Sequence, residues 1–253
     1  MNISDKKVLL IGGNGILGTE YTKFLNDKVK SLSIIDLNNK NIKKFLSAKT
    51  VFYKSDVTKI KNFKKNISLA IKNMGGIDVL INNAALTSEF SRNKKGVFDE
   101  FNFSSWQESL NVTLSGTYIA CVSVLPYMIK QKSGKIINIS SHYGVVSPNH
   151  NIYKGESFNC PVSYTVAKHG VIGLTKWLAT KYAKLGIQIN SLSPGGVKNN
   201  QPKSFIKKYS NINPSNKMAK KNDYNGIIEF LISDQSNYSI GHNYIIDGGA
   251  SVW

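Results

Sequence analysis

The chain has 253 residues, with 33 Lys+Arg against 15 Asp+Glu for a net charge of +18, and 41% of its residues are hydrophobic. That apolar share excludes a disordered chain, and the length suits a single domain, 1–253, of the roughly 200–250 residues common in α/β folds. Two cysteines, Cys121 and Cys160, cannot build a disulfide framework, and no Cys/His cluster has metal-ligand spacing, so no metal is expected.

No apolar run reaches the ~18 residues that span a bilayer, and Met1–Lys7 is polar and lacks a small-residue cleavage site, so a cytoplasmic protein with no membrane partner is expected. Apart from Arg92 the positive charge is all lysine, and Asn and Ile are abundant too, as a compositional bias would produce. Charge of this sign attracts acidic small molecules and carriers. The lysines are scattered and no aromatics interleave with them into a stacking platform, so no nucleic-acid partner is expected.

Short apolar, β-branched segments alternate with helical periodicity along the whole chain, the pattern of a doubly wound Rossmann-type parallel sheet of about seven strands with helices on both faces. The first strand, Lys7–Ile11, runs into Gly12-Gly13-Asn14-Gly15-Ile16-Leu17-Gly18 and a helix beginning near Thr19. Glycines at 12, 15 and 18 suit a tight strand-to-helix turn that lets a pyrophosphate approach the backbone. The second strand, Leu32–Ile35, ends at Asp36, where a carboxylate accepts both adenosine ribose hydroxyls and repels a 2′-phosphate, which favours NAD over NADP.

A third strand, Val51–Tyr53, leads to Ser55-Asp56-Val57. Helix Ile60–Met74 follows, with Ile60, Phe63, Ile67, Ala70, Ile71 and Met74 on one stripe, and Gly75-Gly76 stops it. The fourth strand, Val79–Ile81, leads to Asn82-Asn83-Ala84-Ala85, and the fifth, Lys135–Ile139, to Ser140-Ser141-His142-Tyr143-Gly144. The helix Ser163–Leu185 carries an apolar stripe through Val166, Val171, Leu174, Leu178 and Tyr182, and ends at Gly186. Near its start, Tyr164 and Lys168 lie four residues apart on one face, where a lysine cation would lower the phenol's pKa and make it a usable acid-base group. A sixth strand, Gln188–Leu192, leads to Pro194-Gly195-Gly196-Val197, and a seventh, Asn243–Ile246, to Asp247-Gly248-Gly249.

In this order, each beside its strand, these motifs resemble the short-chain dehydrogenase/reductase family over essentially the whole chain. Two details depart from the usual pattern: Ala85 stands where the family has glycine, and Ile11 precedes a G-x-x-G-x-x-G spacing commoner in the extended, sugar-nucleotide branch. The resemblance implies a catalytic set of Asn111, Ser141, Tyr164 and Lys168. Tyr164 would exchange the hydroxyl proton, Ser141 rather than Ser140 would bond the substrate oxygen, Lys168 would hold the nicotinamide ribose, and Asn111 would brace a water linking Lys168 to solvent.

It assigns cofactor contacts to the turn residues Gly12, Asn14, Gly15, Ile16, Leu17 and Gly18, and to Asp36 and Leu37 after the second strand. Asp56 and Val57, then Asn83, Ala84 and Ala85, then Pro194, Gly195 and Val197 continue that line, with Tyr164 and Lys168 at its end. Members are mostly dimers or tetramers, so a homo-oligomer is implied.

Ser141 and Tyr164 stand 23 positions apart, about ten more than is usual in the family, and the additional segment within 147–163 is polar and aromatic. It is expected to wall the substrate pocket together with a lid region at 197–222. His142, Lys154, Lys198 and Gln201 are candidates for contacts to a polar or anionic sugar. The Ser-Ser-His-Tyr-Gly-Val-Val, Asn-Ile-Tyr-Lys-Gly and Ser-Pro-Gly-Gly-Val-Lys-Asn-Asn-Gln-Pro stretches resemble bacterial dehydrogenases of flagellin modification and surface-sugar synthesis. An NAD-dependent oxidoreductase of a sugar, sugar phosphate or nucleotide sugar is therefore expected. A 3-oxoacyl-carrier-protein reductase and a catalytically silent cofactor-bound scaffold are the alternatives.

Overall fold

The computed structural model describes residues 1–86 and 103–253; Arg92 lies outside them. Seven parallel strands form one sheet in the order β3-β2-β1-β4-β5-β6-β7. These are β1 (Lys7–Ile11), β2 (Ser31–Asp36), β3 (Thr50–Lys54), β4 (Val79–Asn82), β5 (Gly134–Ile139), β6 (Ile187–Pro194) and β7 (Asn243–Ile246). All seven expected strands are present, five of them extended by one to three residues. The order reverses beside β1, whose neighbours are β2 and β4, and this is where a doubly wound sheet opens a crevice at its carboxyl ends.

Alternate residues of the strands feed two cores. Leu9, Ile11, Leu80, Ile136 and Ile189 meet α2 (Ile60–Met74), α4 (Gly116–Gln131) and α5 (Val162–Tyr182). Val8, Leu10, Ile34, Ile81, Ile137 and Leu192 meet α1 (Ile16–Leu25) and α7 (Asn225–Ile232) on the other face. Burial on both sides explains why the central strands read as continuous apolar runs.

Helix α1 begins three residues earlier than expected, because Gly15 is its extended N-cap and Ile16-Leu17-Gly18 already form the first turn. Helix α2 has the expected bounds, but Ile60 at its start is half exposed. In α5 the buried stripe runs Ser163, Ala167, Lys168, Val171, Thr175, Leu178, so Val166 faces outward rather than into the core. The helix closes through a 3-10 turn at Ala183–Leu185 and a left-handed Gly186.

The expectation that no segment could span a bilayer meets one exception. Phe103–Gln131, comprising α3 (Phe103–Leu110), a π-helical turn Asn111–Ser115 and α4, is long and apolar enough by composition. Its apolar face is spent on the sheet, through Ala120, Cys121, Val124, Leu125 and Met128, as in the core helix of a globular domain.

Candidate active site

Every β-strand but the last of the sheet delivers a site residue at its carboxyl end. After β1 the chain turns sharply at Gly12, with φ +80, and a Cβ there would sit 2.5 Å from the Ala84 nitrogen. A Cβ on Gly18 would sit 2.0 Å from the Gly12 carbonyl oxygen, so α1 can pack against the turn only through glycine. Gly15 differs: its nearest neighbour would be the Gly12 oxygen at 3.7 Å, and the residue faces open space. Such a bare backbone at a helix N-terminus fits a pyrophosphate.

The Asp36 carboxylate accepts the Asn14 N–H at 2.8 Å and the Leu37 N–H at 2.7 Å, while burial pushes its pKa up. Asn83 donates to the Gly12 carbonyl at 2.7 Å and so ties the end of β4 to the turn. Asp56 accepts the Thr58 N–H and hydroxyl, and Val57 is buried in the core.

The chemical centre lies at the ends of β5 and β6 beneath α5. Tyr164 hydrogen-bonds to Ser141. Ser141 Oγ accepts the Tyr143 N–H at 3.1 Å, which engages a lone pair and leaves the hydroxyl proton to be donated. Ser140 instead donates to the Lys168 carbonyl at 2.8 Å, fixing β5 to α5, which distinguishes the two serines. Lys168 is 2% exposed, and its ammonium donates to the Ile139 carbonyl at 2.8 Å and lies 5.6 Å from the Tyr164 ring centre. Asn111 sits at the π-turn that joins α3 to α4, and its side-chain oxygen accepts from Gln107 at 3.1 Å.

One electrostatic expectation is overturned. Burial pushes Tyr164 up to about 12, and the same desolvation pulls Lys168 down to about 7. No carboxylate among the described residues holds its charge, so the lysine loses much of its cation near neutral pH and these residues do not acidify the phenol.

One cavity of about 1340 Å³ connects these groups. It is lined by each expected catalytic residue and each expected cofactor contact except Gly18, which lies underneath the turn. His142 and Gln201 also line it. Gln201 spends its amide on its own loop, donating to the Val197 carbonyl and accepting from the Asn199 N–H. Lys154 and Lys198 do not line it: both are exposed, and neither side chain reaches the site.

The additional segment does wall the cavity, through the aromatic Tyr153 and Phe158 with Ser157 beside them, while its His150, Asn151 and Lys154 do not line it. Tyr153 and Phe158 meet Phe205 and Tyr209 of α6 (Lys203–Asn211), together with Tyr143 and Met218. Tyr209 accepts the Gly196 N–H at 2.6 Å, and Glu156 binds Lys208 at 2.8 Å and Ser204 at 3.1 Å, so α6 is tied both to the loop after β6 and to the additional segment. The i, i+4 pair Phe205 and Tyr209 was a readable signal of this wall.

A doubly wound sheet with this glycine turn and this Ser-Tyr-Lys cluster is the frame of a nicotinamide-dinucleotide oxidoreductase. Residues 6–209 match the short chain dehydrogenase family, and the chain belongs to it. It is similar to the post-translational flagellin modification protein A of Campylobacter coli, 30% identical over 96% of this chain and 91% of that one. It is equally similar to a 3-oxoacyl-[acyl-carrier-protein] reductase of Buchnera aphidicola, 29% identical over 98% of both. A Leptospira borgpetersenii short chain dehydrogenase with bound NAD+ superposes with a TM-score of 0.87 at 30% identity, covering 99% of this chain and 94% of that one. ElxO with NADP bound superposes at 0.82, also at 30% identity, over 98% and 100%. The protein is thus an NAD(P)-dependent enzyme that interconverts hydroxyl and carbonyl groups.

Proposed function

We propose that the enzyme uses NAD to oxidise, or NADH to form, a secondary alcohol on a small, ring-shaped, polyhydroxylated substrate of the sugar type. The observation that carries this is the single cavity in which the hydrogen-bonded Ser141–Tyr164 pair stands between a glycine turn ending at Asp36 and a chamber of aromatic rings. Asp36 supports NAD, because a carboxylate already fixed by two backbone N–H groups accepts ribose hydroxyls and repels a phosphate. Flat aromatic walls with phenol tips suit the C–H faces and hydroxyl edges of a saturated ring. Likeness to a flagellin modification protein supports a sugar. Among the described residues Lys154 and Lys198 lie outside the cavity and Glu156 engages Lys208, which favours an uncharged ring over a phosphorylated one.

When bound, the dinucleotide supplies the nicotinamide carbon that takes or gives the hydride. Tyr164 exchanges the hydroxyl proton, and Ser141 donates to the substrate oxygen as charge develops on it. Lys168 holds the nicotinamide ribose, and Asn111 stands on the proton route to solvent. The free thiols Cys121 and Cys160 suit a reducing cytoplasm. Exposed Tyr118 on α4 and Trp177 on α5 suit a homodimer or homotetramer.

The test is Tyr164→Phe. It should keep NADH affinity and lower kcat by about 10²–10⁴. A variant of undiminished rate would overturn the mechanism.

A further inference from the structure

Two groups in the chamber carry polar atoms that no described residue uses. Tyr143, two residues after Ser141, and Tyr153, in the additional segment, are 8% and 6% exposed, and their hydroxyls lie 3.1 Å apart. Their mutual bond takes one of the two phenol protons. The other has no acceptor among the described residues. Beside them, His142 Nδ1 lies 3.3 Å from the Pro194 carbonyl oxygen. A carbonyl only accepts, so the ring proton sits on Nδ1 and the neutral ring's Nε2 is an acceptor, again with no partner among the described residues. Burial pulls the imidazole's pKa below its ordinary value, which keeps the ring neutral near pH 7.

All three rings line the cavity that holds Ser141 and Tyr164, and the His142 and Tyr143 rings lie 4.0 Å apart. Water can serve the spare donor and acceptor while the chamber is open. A substrate that expels this water must replace both bonds, since a buried polar group left unpaired is costly.

We propose that His142 and the Tyr143–Tyr153 pair form a subsite for a second substrate hydroxyl, neighbouring the one that reacts at Ser141 and Tyr164. A hydroxyl can donate to Nε2 and accept from the spare phenol at once. A carboxylate cannot donate and an ammonium cannot accept. The enzyme is therefore a dehydrogenase of ring diols and polyols in preference to simple alicyclic alcohols. Tyr153 comes from the segment within 147–163, which gives that segment a role in specificity. This inference rests on the ring-alcohol reading above.

The test compares kcat/KM for trans-cyclohexane-1,2-diol and cyclohexanol with NAD+, in the unmodified enzyme and in Tyr153→Phe and Tyr143→Phe, with NADH binding as the check on folding. A site built to hydrogen-bond a hydroxyl rejects the analogue lacking it, so the diol should be favoured by about 100-fold or more. Whichever phenol variant binds NADH should lose about tenfold or more of that preference. Equal rates on the two alcohols, or a preference untouched by the phenylalanine variants, overturn the subsite. No oxidation of either alcohol by an enzyme that binds NADH overturns the ring-alcohol activity, and the subsite with it.

Discussion

At Tyr164 and Lys168, burial acts on two neighbouring groups in opposite chemical directions. The phenol is pushed up to about 12 and the ammonium is pulled down to about 7, because each neutral form is the one a desolvated site favours. Oxidation needs the phenolate, the form that increases with pH below the phenol's pKa. With Tyr164 in its proposed role, kcat/KM for alcohol oxidation should therefore climb with pH from the neutral range toward the phenol's pKa at about 12. Reduction needs the phenol, and should hold steady over the lower part of that range and fall only as pH approaches the tyrosine's pKa. Steady-state profiles in both directions check this; oxidation that falls between neutral and alkaline pH would contradict it. The spacing of Tyr164 and Lys168 was plain in the sequence, but their pKa values were not, since desolvation depends on what α5 is packed against.

The β1–α1 turn separates two uses of glycine that look alike in sequence. Gly18→Ala would force a Cβ to 2.0 Å from the Gly12 oxygen, so it should lower the thermal midpoint by several degrees or prevent folding. Gly15→Ala meets nothing closer than 3.7 Å, at an ordinary negative φ. It should leave the midpoint within a degree or two while weakening NADH binding about tenfold or more, because the added methyl points where a phosphate would approach. Thermal scans and NADH titrations of both variants separate the roles; equal effects on stability would refute the distinction.

Strand positions and the helix α2 were legible because burial on both faces writes itself as apolar runs and helical stripes. The chamber was less so. His150, Asn151 and Lys154 dominate a reading of the additional segment by composition, yet the segment folds with Ile152, Tyr153 and Cys160 inward against α6. That choice is made by tertiary partners, Phe205 and Tyr209, lying some fifty residues downstream.

Across the whole molecule the carboxyl ends of the strands supply the proposed cofactor side of the cavity, while the proposed substrate side is assembled from two segments outside the sheet. Glu156 joins them, through Lys208 and Ser204 on α6. Glu156→Gln should speed amide exchange in residues 203–211 and leave exchange in β4 and β5 unchanged, as measured by hydrogen-exchange mass spectrometry. Protection of 203–211 equal to that of the unmodified protein would show that aromatic packing alone holds α6. Formation of NADH or NADPH by the purified enzyme with a panel of cyclic polyols, with acetoacetyl thioester reduction run in parallel, separates ring-alcohol oxidation from acyl-chain reduction. NADH should form with a cyclic polyol, and NAD+ should be preferred to NADP+ about tenfold or more. NADPH-driven reduction of the thioester, with no polyol oxidised, would contradict the account and place the enzyme in acyl-chain reduction.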